Sequence, residues 1–128
     1  MKRFENTLIT NKPFEEVIST LSKRIEENGF RILHIHDISV MLTEKGFPHP
    51  PLKIFEICNA KYAHQVLEKD VKISLMLPCP ISVYVQENKT HISALLPTSM
   101  VEFFPHAEIQ EIALEVESVI LKIIQESL

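Results

Sequence analysis

The stretch Leu52-Lys53-Ile54-Phe55-Glu56-Ile57-Cys58-Asn59-Ala60 decides how the chain folds. Up to Cys58 its parity is that of a strand, with Ile54, Glu56 and Cys58 on one face and Phe55 and Ile57 on the other. Asn59 ends the strand, because its side-chain oxygen accepts from the free amides of a helix's first turn. Ala63, Val66 and Leu67 then recur at helical spacing to about Lys69. A strand that runs directly into a capped helix is the unit from which an α+β domain is built.

Working upstream, Phe47-Pro48-His49-Pro50-Pro51 predicts an exposed loop, since its prolines lack donors and fix the backbone. Residues 38–45 predict a short helix ended by Gly46. Residues 30–37 predict a strand with Phe30, Ile32, His34 and His36 on one face. Before that, Phe14, Val17, Ile18, Leu21 and Ile25 mark an amphipathic helix, with Asn11 as its cap, Pro13 near its first turn and Gly29 as its stop. Residues 4–10 predict a first strand.

Downstream, residues 73–77 form a short apolar stretch before Pro78-Cys79-Pro80. Residues 81–86 and 90–96 predict two strands joined by a turn around Asn88, and residues 97–105 a loop with at most one helical turn. From Ala107 to the end, Ile109, Ile112, Ala113, Val116, Val119, Ile120 and Ile123 form one apolar stripe of a long helix. The expected fold is a single α+β domain over residues 1–128, a mostly antiparallel sheet with helices on one face, in β-α-β-β-α-β-β-α order. The sheet's other face then needs cover, for which a homodimer is the simplest source.

Composition narrows the function by exclusion. The 128 residues are 45% hydrophobic and 23% charged, which fits neither a disordered chain nor a membrane-spanning one. A net charge of −4 provides no attraction for nucleic acid or an anionic membrane. Two glycines, Gly29 and Gly46, are too few and too far apart for a P-loop or a dinucleotide turn, so no cofactor is implied. Glu5, Asn6 and Thr7 interrupt any secretory leader, so the expected location is the cytoplasm, with Cys58 and Cys79 as free thiols. In that setting the sequon Asn88-Lys89-Thr90 marks a turn, not a glycan site.

Those thiols are the main chemical candidates. Cys58 precedes a helix start, where amides and dipole favour a thiolate, while Glu56 opposes that by its charge. Pro78 and Pro80 hold Cys79 in a rigid segment without an acidic neighbour, so Cys79 is the expected more reactive thiol. The alternative for both is a small apolar core residue. No CxxC spacing exists for local exchange. The two thiols are expected to share one region, with Glu56 pointing into it. His34 and His36 have the i, i+2 spacing of two metal ligands but lack a third at motif spacing, so no metal is expected. The histidines are more simply surface groups, and no GxSxG elbow is present.

Glu56-Ile57-Cys58-Asn59-Ala60, the helix ending in Val66-Leu67, Leu77-Pro78-Cys79 and Val83-Tyr84 together resemble the signature of domain-of-unknown-function family 302. Gly29-Phe30-Arg31-Ile32-Leu33 and Glu115-Val116-Glu117 extend the resemblance over essentially the whole chain. Ala60 departs from the family's usual proline, and Pro80 from its common basic residue, which argues against an anion-binding role at that position. The resemblance implies a curved antiparallel sheet like half of the TATA-binding protein, helices on one side, a tendency to dimerise and no established activity. Topology alone does not imply DNA binding.

The resulting candidate site comprises Glu56, Cys58, Asn59, Pro78, Cys79 and Tyr84. The leading expectation is a homodimeric, non-enzymatic module holding a small-molecule ligand or partner at the sheet's free face. The alternative is a thiol-dependent protein, sulfur-handling or redox-sensing, that uses Cys58 or Cys79. A metal or haem site made from thiols and histidines ranks third.

Overall fold

In a computed structural model that describes residues 3–128, six residues alternate inward and outward as β1 (Glu5–Thr10) before Pro13 begins the next element. Helix α1 (Phe14–Glu27) buries Val17, Leu21 and Ile25, the stripe its spacing requires. Its cap is Pro13, not Asn11. The Pro13 carbonyl accepts from the Glu16 and Val17 amides, and no side chain caps the helix. Gly29 takes the left-handed conformation, φ 82°, which a Cβ would disfavour, and turns the chain into β2 (Arg31–Asp37).

Asp37 caps the short helix α2 (Ile38–Glu44), accepting from the Val40 amide. The proline loop leads to β3 (Leu52–Cys58), and Asn59 caps α3 (Ala60–Lys69) by accepting from the Tyr62 amide. A 3-10 segment, Val71–Met76, precedes β4 (Cys79–Gln86). This strand begins two residues before the expected Ile81, directly after a cis Leu77–Pro78 bond. Glu87 and Asn88, both at positive φ, make the two-residue turn into β5 (Lys89–Leu95), the geometry that matches the natural twist of a hairpin. Residues 97–103 form a second 3-10 segment, longer than the single turn expected. The Glu117 carboxylate holds its start by accepting from the Thr98 amide at 3.1 Å and hydroxyl at 2.6 Å. Helix α4 (Gln110–Glu126) closes the chain.

The five strands form one antiparallel sheet in the order β1-β5-β4-β3-β2. Phe55, Ile57, Ile81, Val83, Ile92 and Ala94 fill its inner face, against the apolar stripes of α1 and α4. Strand β2 departs from simple parity. A bulge between Ile32 and His34 turns Ile32 and Ile35 to the core and leaves Leu33 exposed. His34 and His36 therefore face away from Phe30 and Ile32, not with them as alternation predicts.

Candidate functional site

The helical side of the sheet holds a cavity of about 80 Å³. Its floor is the end of the sheet, where Cys58 closes β3 and Cys79 opens β4. Its walls are Tyr62 and Val66 of α3, Met76 and Met100 of the two 3-10 segments, and Ala113 and Val116 of α4. No Asp, Glu, Lys, Arg or His side chain lines it.

Both cysteines are free and both line this space, as expected. They meet because the β3–β4 ladder ends at the Ile57–Cys79 pair, one residue before Cys58. Cys79 lies on the core face by its alternation with the buried Ile81 and Val83. Cys58 shares Glu56's parity, but nothing of β4 extends past it, and the chain turns back at Asn59 over the same cavity. Asn59 fixes that corner from two sides: besides capping α3, its amide donates to the Gly29 carbonyl at 2.9 Å.

Glu56 does not enter the cavity. It points to the sheet's free face and accepts a hydrogen bond from His36 Nε2. His34 packs edge-on against His36, with ring centroids 4.4 Å apart. Tyr84 also lies on the free face. Its ring stacks on His91 at 5.1 Å, and its hydroxyl is hydrogen-bonded to that of Ser93, which bonds to Thr7. The expected site thus divides: Cys58, Asn59 and Cys79 on the helical side, Glu56 and Tyr84 opposite. Pro78 joins Leu77 of the cavity wall to Cys79.

The electrostatics reverse the expected order of thiol reactivity. Burial pushes the Cys79 thiol up to about 11, and the neighbouring Cys58 adds to the shift. Burial also raises the Cys58 thiol, with no contribution from Glu56. The lack of an acidic neighbour in its segment favours Cys79, but desolvation outweighs that advantage. The Tyr62 hydroxyl is raised by burial and then by Glu115, to which it donates at 3.1 Å.

Sequence reasoning missed most of the walls. Met76, Met100, Tyr62 and Phe104 stand in no motif, and they converge only once the first 3-10 segment packs against α3 and the second against α4. One signal did exist in Glu115-Val116-Glu117. Val116 lines the cavity while Glu115 ties α4 to α3 and Glu117 ties it to the second 3-10 segment. Among the described residues no three His, Cys, Asp or Glu side chains group as a metal site, and no helix is long and apolar enough to cross a membrane.

No curated protein matches the chain. The structure is similar to the crystal structure of an uncharacterized conserved protein DUF302 from Bacillus stearothermophilus. That similarity has a TM-score of 0.93 at 26% identity and covers 99% of this chain and 100% of that one. The pattern of the family described as Domain of unknown function DUF302 matches residues 6–127, which include both cysteine segments, the Asn59 corner and the Glu115-Val116-Glu117 stretch. By that match the chain belongs to the DUF302 family.

Proposed function

We propose that this protein is a binding module that takes a small ligand into the cavity at the Cys58–Cys79 end of its sheet. The observation that carries the reading is the lining: a space without a charged side chain, walled chiefly by α3, α4 and the two 3-10 segments around two thiols. Such a space favours an occupant that is neutral once bound. The location differs from the sheet's free face, where the sequence alone places a ligand site. Two raised thiols without a cation or base among the lining residues favour binding over nucleophilic catalysis.

We further propose that the protein works as a homodimer in a reducing cytoplasm, joined through the free face of the sheet. That face already satisfies much of its own polarity through the His36–Glu56, Tyr84–Ser93 and Ser93–Thr7 hydrogen bonds. A second copy can cover it without orphaning those groups.

Xenon tests the cavity because it is apolar and small enough for the space. Its NMR shift should respond to the wild-type protein in a saturable way and lose that response in Ala113→Leu, which fills the cavity from α4. A folded wild type without a specific xenon response would overturn the reading.

A further inference from the structure

Besides its two thiols, the cavity is lined by two thioethers, Met76 and Met100. The chain has four methionines and two cysteines, so both cysteines and half of the methionines line one space. They arrive from four different elements: the end of β3, the start of β4, and the two 3-10 segments. No local sequence pattern brings them together.

From this convergence we infer that the cavity binds a soft monovalent d10 cation, Cu(I), through Cys58, Cys79, Met76 and Met100. The inference rests on the ligand-binding reading of the same cavity and names its ligand. Three properties of the site support it. The first is donor type: thiolate and thioether sulfurs select Cu(I), whereas hard divalent ions prefer the oxygen ligands that this lining lacks. Zinc is disfavoured as well, since it takes four strong nitrogen, sulfur or carboxylate ligands and only two thiols are present here.

The second is charge. With no charged side chain in the walls, the neutral occupant state is the one least penalised by burial. One Cu⁺ with one thiolate is neutral. Binding then breaks one S–H bond, forms one Cu–S bond and releases one proton to solvent, with no electron transferred. One of the two cysteines supplies that thiolate, and the other stays a neutral donor beside the thioethers. The third is size. A cavity of about 80 Å³ is small beside the roughly 300–1,000 Å³ typical of organic ligand pockets, yet ample for one ion among flexible sulfur arms.

The experiment adds Cu(I) anaerobically to the reduced full chain in competition with bicinchoninate. The expected result is one Cu(I) withdrawn per chain, with a thiolate-to-copper absorption in the ultraviolet and loss of the specific xenon response. Cys58→Ser should weaken binding at least tenfold. The double variant M76L/M100L preserves volume and removes only sulfur, and it should also weaken binding at least tenfold while retaining the xenon response. Met41→Leu, outside the cavity, should bind as wild type. Complete retention of Cu(I) by the competitor overturns the inference, as does unchanged binding in either Cys58→Ser or M76L/M100L. A xenon response without copper uptake would leave the ligand reading standing and remove copper alone. Absence of both would remove the two together.

Discussion

Cys58 and Cys79 occupy one cavity yet differ in how far water reaches them. Desolvation holds Cys79 near 11, so at neutral pH its thiolate fraction is on the order of one in ten thousand. Cys58 is raised by burial alone and lies at the strand end beside the Asn59 turn. Iodoacetamide at pH 7.5 followed by peptide mapping should therefore modify Cys58 first and Cys79 only after unfolding. The ranking expected from neighbouring charges was the opposite, and equal or faster labelling of Cys79 would restore it. The residues of the helix cap were legible because capping is local: Asn59 needed only its own side chain and the next three residues. Burial of a thiol is not local, since it depends on α4, whose residues are some thirty or more positions away.

At the scale of elements, the apolar periods of α1 and α4, the β3 alternation and the hairpin turn could all be read from the sequence. The bulge in β2 could not, because Leu33 is apolar and masks the place where the parity shifts. The two 3-10 segments were equally hidden. Val71–Met76 and Pro97–Phe103 have neither a helical nor a strand period, and the second is held by Glu117 of α4. Helix α2 presents a pH-dependent element. The Asp37 carboxyl is held below the usual carboxylate range by the Val40 amide, then by the Ser39 hydroxyl, with a smaller contribution from Lys53. A lowered folded value means that its contribution is present above the ordinary range and lost as pH falls through the folded value. In denaturant titrations Asp37→Ala should cost about 0.5–2 kcal/mol at pH 7, a difference that shrinks below pH 4. A penalty that stayed constant down to pH 2 would show that the charge contributes nothing.

For the whole molecule, the fold class and the one-sided helical layer followed from element order, since helices interleaved with antiparallel strands have few other ways to bury their stripes. Which end of the sheet carries the cavity did not follow. That depends on where the ladders stop, a property of register that one strand alone does not specify. The free face makes its own prediction. Static light scattering at micromolar concentration should give a mass near twice the 14.7 kDa of one chain. Ile54→Arg, placed on that face between His36 and Ser82, should return it toward the single-chain mass. A single-chain mass for the wild type throughout would reject the dimer.

The strand order carries a consequence for how the molecule is made. Strands β2 to β5 each lie beside the strand before or after them in sequence, so that meander can zip up as the polypeptide leaves the ribosome. β1 is the exception: Thr7 lies opposite Ser93, and Leu8 opposite Ile92. The β1 backbone must therefore wait until β5 has been made before it finds its partner. During that interval Leu8, which packs against the core in the folded molecule, stays open to chaperones in a growing chain.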